Sequence, residues 1–231
     1  MEVGKVLPVE WLYHPASTSG LAMRTDWYIF MAAGTAVGIF VYACIAWCLI
    51  AYRRGRSGDA QQFSGNPPLE ILYVVVPLLM VIGLFVVTYV IEMPVDRVAY
   101  AAIAGGATQP PNRVQVTAFR WSWRFAYPNG TTTYGTPTFP PTLYLPLGEV
   151  SEVDLRSVDV THSFWVPAFL FKRDAIPGMT NVFDITPNRL GAFVGRCAQF
   201  CGLDHALMSF VVDVVPAARY HRMLATGKMT P

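Results

Sequence analysis

Charge is scarce in this sequence and absent where its distribution says most. Only 14% of the residues are charged, against about 25% in an ordinary soluble domain. No charged residue interrupts Trp27 to Tyr52 or Ile71 to Ile91. The net charge is +2 with no basic run, which leaves nucleic acid without a binding surface. No Gly-rich phosphate loop, internal repeat or C-x-x-C-H haem-attachment motif is present. Cysteine and histidine number four each, too few for a disulfide scaffold and enough for one metal site.

The two uncharged runs explain the composition. About 20 apolar residues cross a hydrocarbon core of about 30 Å, and both runs reach that length. Asp26 and Arg53 bracket the first, Glu70 and Glu92 the second, and Trp27, Tyr28, Trp47, Tyr52, Tyr73 and Tyr89 sit near the ends. Aromatic residues favour that interface. The first run starts too late and is too long for a cleaved signal peptide, so it reads as a retained span. Arg53, Arg54 and Arg56 follow it directly, which places the 53–70 loop in the cytoplasm by the excess of basic residues there. Residues 1–26 are then an exterior tail, 27–92 two spans (27–52 and 71–91), and 93–112 a linker rich in Ala, Gly and Pro. Residues 113–231 form an exterior domain, on an oxidising side.

That domain carries short runs rich in Val, Phe, Trp and Tyr, broken by Pro and Gly: Arg113–Tyr127, Thr142–Leu147, Val150–Val160, Asn181–Ile185, Gly191–Arg196 and Ser209–Val215. Such spacing predicts an all-β sandwich or barrel, with a short helix over Ala217–Ala225. In Val150–Leu155, Val150, Glu152 and Asp154 alternate with Ser151, Val153 and Leu155, so one face is polar and charged.

The stretch RCAQFCGLDHALM, residues 196–208, gathers two of the four cysteines with a histidine and a methionine. It joins two of the predicted strands. Thiolate, imidazole and thioether are soft donors that favour copper, zinc or iron–sulfur. A mononuclear cupredoxin site needs two histidines and one cysteine, so the loop has one His too few and one Cys too many. His162, at the end of a strand in DVTHSFWVPAF, supplies the missing imidazole. Two cysteine sulfurs can then bridge two coppers. Each ion would take one imidazole, from His162 or His205, and share Cys197 and Cys201. Met208 and the main-chain carbonyl of residue 199 would be the weak axial partners. An electron shared by two metals changes each bond little, which suits relay. Tetrahedral zinc fits the C-x3-C-x3-H spacing but leaves Met208 idle. A Cys197–Cys201 disulfide suits the oxidising side but leaves two histidines and a methionine without a task.

On these residues the sequence resembles subunit II of the haem–copper cytochrome c oxidases. CAQFCGLDHALM is similar to that family's dinuclear CuA motif. DVTHSFWVPAFLFKRDAIPGMTN (159–181), RWSWRFAYPNG (120–130) and NPPLEILYVVVP (66–77) resemble further family stretches. The resemblance implies a two-helix transmembrane hairpin followed by a cupredoxin-like β-sandwich, a membrane-anchored all-β architecture in a bacterial inner membrane. It implies the ligands His162, Cys197, Gln199 through its carbonyl, Cys201, His205 and Met208. Electrons would come from a separate cytochrome c and pass to haem in subunit I, where oxygen is reduced. Partners would be subunit I, other oxidase subunits and membrane lipid.

The resemblance also gives Trp121 the role of admitting electrons. Alternation of Trp121, Trp123, Phe125 and Tyr127 along a strand would put at least one face in the core instead. It makes Glu70 a proton intake point, whereas a carboxylate at a helix N-terminus is also ordinary dipole chemistry. Most of the family has Glu where this chain has Gln199, and an amide is a poorer ligand for a hard cation, so an interfacial magnesium stays unassigned. Cys44 and Cys48 are expected to pack as small hydrophobes, and His14 and His221 to lie on solvated segments. Between Pro140 and Val215, eight acidic residues oppose five basic ones, a net of −3, a slight bias toward a basic donor. A CuA-bearing nitric oxide reductase subunit would look nearly the same. A copper-storage module and a quinol oxidase subunit, which lacks the copper ligands, are the other readings.

Overall fold

The computed structural model describes residues 12–53, 64–96 and 112–229. Arg54, Arg56, most of the 53–70 loop and most of the 93–112 linker lie outside the described residues. Thr25–Glu92 form one unit and the rest of the chain another.

Helix α1 covers Thr18–Ala51, 34 residues, or about 51 Å at 1.5 Å per residue. Helix α2 covers Pro67–Asp96, 30 residues, or about 45 Å. Both exceed the hydrocarbon thickness. Phe40, Tyr42, Trp47 and Leu49 on α1 and Ile71, Leu79 and Phe85 on α2 are apolar yet exposed. Helices apolar on all sides belong in lipid. Thr88 Oγ1 donates to Asp26 Oδ1 at 3.2 Å, tying the end of α2 to the early part of α1 as an antiparallel hairpin.

The first helix begins at Thr18, not at Trp27, inside the stretch expected to be a tail. Hydropathy marks the part that needs lipid, while the start of a helix is set by its cap. Ser17 is that cap: its Oγ accepts the Gly20 N–H at 3.0 Å and donates to the Phe169 carbonyl at 2.9 Å. Ala16 N–H donates to Ala168 O, Thr18 N–H to Thr186 O, and Asn188 N–H to Ala16 O. Gly20 is needed for this approach, because a Cβ there would lie 2.6 Å from Phe169 O.

Ten strands follow. They are β1 Arg113–Phe119, β2 Ser122–Ala126, β3 Thr132–Tyr134, β4 Thr142–Pro146, β5 Ser151–Ser157, β6 His162–Val166, β7 Phe171–Ala175, β8 Asn181–Ile185, β9 Gly191–Cys197 and β10 Ser209–Val215. They form two five-stranded sheets, β3-β2-β1-β5-β8 and β4-β10-β9-β6-β7. The arrangement is the two-sheet sandwich that the strand spacing predicts. Helix α3, Ala217–Thr226, closes the chain and buries Tyr220 and Met223. The run Arg113–Tyr127 is a hairpin rather than one strand, since β1 pairs antiparallel with β2 around a turn at Arg120–Trp121. β1 also pairs in parallel with β5, and β10 with β4.

The core lies between the sheets. Val114, Val116 and Ala118 of β1 and Val153 and Leu155 of β5 alternate inward and are buried. Trp123, Phe164 and Phe210 meet at ring separations of 4.7 to 6.0 Å. Gly195 of β9 lies flat under Phe210, whose ring a Cβ there would strike. The outward face of β5 is charged as expected, yet Glu152 and Asp154 are buried, not solvated. Arg113 accounts for this, with its guanidinium 3.3 Å from Glu152 Oε1 and 2.7 Å from Asp154 Oδ2.

Candidate metal centre

The loop 198–208 is held at its base before its side chains are considered. Cys197 N–H donates to the Met208 carbonyl at 2.9 Å and Ala198 N–H to Ser163 O at 3.1 Å. A short 3-10 turn, His205–Leu207, closes it, with Met208 N–H on His205 O at 3.2 Å. Cys197 is thereby the last residue of β9 and Met208 the residue before β10. Strand β6 starts at His162 and lies beside β9, pairing Phe164 with Cys197. His162 therefore opens a strand instead of ending one, because the expected run Val150–Val160 stops at Ser157.

Six expected ligand residues come together. Cys197 Sγ and Cys201 Sγ are 3.9 Å apart, well beyond the about 2.05 Å of a disulfide. His162 Nδ1 lies 3.8 Å from Cys197 Sγ, and His205 Nδ1 lies 3.5 Å from Cys201 Sγ. The Gln199 carbonyl oxygen is 3.2 Å from Cys197 Sγ, and Met208 Sδ is 3.7 Å from Cys201 Sγ. Each imidazole faces one sulfur, and each weak donor faces one sulfur. The ligand atoms of His162, Cys197 and Cys201 all lie within 4.8 Å of one another. Both cysteines and Met208 are buried, and His162 is completely so. This soft, largely buried donor set fits copper.

Electrostatics sharpen the picture. Burial works against charge on Cys197, but the His162 bond and main-chain contacts at Ser163 and Gln199 outweigh it and lower the thiol below its ordinary value. Cys201 is pushed up to about 12, by burial first and then by the neighbouring Cys197 sulfur. Burial disfavours a charged His162, yet Cys197 and Asp159 together raise it. Asp159 loses some ease of ionisation to burial, but His162 and the N–H groups of Val160 and Arg120 hold it at about 2.

Trp121 stands half-buried on the β1–β2 turn. Its Nε1–H donates to the Cys201 carbonyl at 3.2 Å. Gly202, at φ +118°, makes room, since a Cβ there would sit 3.3 Å from the indole. Leu203, next along, is 89% exposed. Of the alternating aromatics, Trp123 and Phe125 are fully buried and Tyr127 nearly so, while Trp121 is only partly buried and packs against the edge of the core.

Glu70 is remote from this loop in sequence and has a local task. Its Oε1 accepts the Asn66 N–H at 3.1 Å while Asn66 Oδ1 accepts the Leu69 N–H at 3.4 Å. This reciprocal cap starts α2. Cys44 and Cys48, expected to pack, are exposed on α1; in a lipid-facing helix a thiol needs no protein partner. His14 is exposed as expected. His221 is exposed but not merely solvated, because its Nε2 lies 2.9 Å from Glu149 Oε2. Asp159, which the sequence pattern did not mark out, lies with its Oδ1 2.9 Å from His162 Nε2. The signal was the D-x-x-H spacing just ahead of the strand.

Comparison with known proteins places the chain in a family. Residues 138–215 match the family model described as cytochrome C oxidase subunit II, periplasmic domain. That range holds all six metal-binding candidates and neither Trp121 nor Glu70. A probable cytochrome c oxidase subunit 2 of Streptomyces avermitilis is 36% identical, covering 91% of this chain and 76% of that protein. The cytochrome c oxidase subunit 2 of Mycobacterium bovis is 31% identical, covering 83% of this chain and 68% of the relative. Among solved structures, the periplasmic domain of subunit II of cytochrome oxidase from Bradyrhizobium japonicum matches with a TM-score of 0.47 at 28% identity, over 53% of this chain and 97% of that one. Identity at this level across most of both chains settles the kinship: the chain belongs to the cytochrome c oxidase subunit 2 family.

Proposed function

We propose that His162, Cys197, the Gln199 carbonyl, Cys201, His205 and Met208 hold a dinuclear copper centre, and that electrons reach it from a separate cytochrome c by way of Trp121. As a subunit 2, the chain is the electron-accepting subunit of a haem–copper oxidase, membrane-anchored with its β-sandwich outside; oxygen is reduced in its partner. The bound copper pair would supply one-electron uptake and release with little change at its ligands. The observation that carries the reading is the pairing of one imidazole and one weak donor with each of two unbonded sulfurs.

The chain's own residues define what the centre requires. Cys197 and Cys201 would supply the thiolate charge that such a centre needs. Strands β6 and β9 fix His162 against Cys197. Trp121, hydrogen-bonded to the Cys201 carbonyl, offers a conjugated surface at the loop's edge. Gln199 contributes its main chain, and its neutral side chain gives no reason to place a magnesium ion there. The finer assignments are a bacterial inner membrane, haem in subunit I as acceptor, and Glu70 as a proton intake point. The Glu70 role is supported by its place at the start of α2, the end assigned to the cytoplasm.

Full-length protein in detergent, loaded with copper, tests the assignment by stoichiometry and electron uptake. Two coppers per chain and rapid reduction by ferrocytochrome c are expected, with both lost in Cys197→Ser and Cys201→Ser. One copper per chain, or a serine variant that keeps two, would overturn it.

A further inference from the structure

Asp159 belongs to none of the assigned ligands, yet its carboxylate is the most heavily bonded group beside them. Oδ1 accepts from His162 Nε2 at 2.9 Å and from Val160 N–H at 2.7 Å, with Ser157 Oγ at 3.4 Å. Oδ2 accepts from Arg120 N–H at 2.8 Å and from Arg120 Nε at 3.4 Å. The residue after Arg120 is Trp121, whose indole reaches the Cys201 carbonyl. The contacts close a circuit from Cys197 to His162, Asp159, Arg120, Trp121, Cys201 and back to Cys197. It joins three separate loops.

We propose that Asp159 is a positioning residue whose two oxygens divide the work, Oδ1 fixing the His162 imidazole and Oδ2 fixing the turn that carries Trp121. The inference rests on the copper reading above. A carboxylate can only accept, so a neutral His162 carries its proton on Nε2, which leaves Nδ1 with a lone pair facing Cys197. That is the tautomer a metal at this site requires. On the other side, the Arg120 N–H donor holds the turn, and with it the indole. One group thus sets both the ligand's orientation and the place where the electron arrives.

The chemistry of amides gives the test. Asp159→Asn keeps the shape but offers one acceptor and one donor. Either orientation sets a donor against a donor, at His162 Nε2 or at Arg120. Arg120→Ala is the control, because it removes only the longer side-chain contact and keeps the N–H. Three readouts apply to the full chain: the tautomer of His162 by nitrogen NMR in copper-free protein, Trp121 fluorescence, and copper affinity. Asp159→Asn should shift the tautomer or the fluorescence and weaken copper binding by roughly 10–100-fold, the usual loss when a ligand's outer partner goes. Arg120→Ala should leave the tautomer and affinity unchanged. Should Asp159→Asn not fold, Asp159→Glu serves, since its longer stem cannot hold both sides and the same shifts are expected. An Asn or Glu variant with the parent's tautomer, fluorescence and affinity would overturn the proposal. If the parent chain binds no copper pair while the tautomer still shifts, the copper reading falls and the positioning role of Asp159 stands.

Discussion

A glycine decides how near the Trp121 indole comes to the sulfur loop. Gly202 has φ +118°, a region that side chains rarely adopt, and the indole occupies the space a Cβ would need. Gly202→Val should displace the ring, cost about 1–3 kcal/mol and slow reduction by cytochrome c without removing copper. Stopped-flow reduction beside a copper assay checks this; unchanged kinetics would count against Trp121 as the point of electron uptake. Titration gives a second residue-scale expectation. The raised Cys201 thiol must lose its proton when a metal binds, and so must His162 wherever it is charged, so copper affinity rises with pH. Asp159 behaves oppositely in the copper-free fold. Its folded value of about 2 lies below the ordinary 3.8, so its contribution is fully present above 3.8 and is lost as pH falls through 2. Denaturant melts of Asp159→Asn against the parent should therefore converge at the acid end. The candidate ligand residues stood out in sequence because soft donors are rare and clustered. Asp159 was not, because a single carboxylate three residues before a histidine looks like any other until the loop folds.

Strands and helices were legible unevenly. β9 and β10 flank the loop almost as the pattern predicted, since both are strongly apolar and end at clear breakers. β3, β6 and β7 went unrecognised. β3 is three residues long and too short to show a period. β7 mixes Lys172, Arg173 and Asp174 between Phe171 and Ala175, so its strand character comes from pairing with β6 and not from its own residues. The start of α1 was missed because its determinant, the Ser17 cap, lies well outside the apolar run. Ser17→Ala should destabilise by about 0.5–2 kcal/mol, read as a lower denaturation midpoint. Gly195→Ala should cost about 1–3 kcal/mol by forcing Phe210 aside. A neutral Gly195 variant would mean that the Phe210 ring does not lie across β9 as described.

Taken whole, the molecule modifies the weak expectation from net charge. Several of the acids behind the count of −3 are already engaged: Glu149 with His221 and Asn112, Glu152 and Asp154 with Arg113, and Asp159 with Arg120 and His162. Leu203, which follows the Gly202 that meets the Trp121 indole, and Val158, which precedes Asp159, are exposed apolar residues. Reduction by cytochrome c should therefore fall less than about threefold between roughly 20 and 200 mM salt, where strongly steered association changes tenfold or more. A steep salt dependence would show that the remaining carboxylates dominate encounter. The two-span anchor and the sandwich were legible as a plan because composition alone separates a lipid-soluble part from a domain of short strands. The pairing of strands across the two sheets was not, because parallel partners such as β1 and β5 lie far apart in the chain. The most direct measurement is electron paramagnetic resonance of the full chain loaded with a single copper isotope. Shared ownership of one unpaired electron by two equivalent nuclei predicts a many-line hyperfine pattern; the four lines of an isolated copper ion would contradict the account.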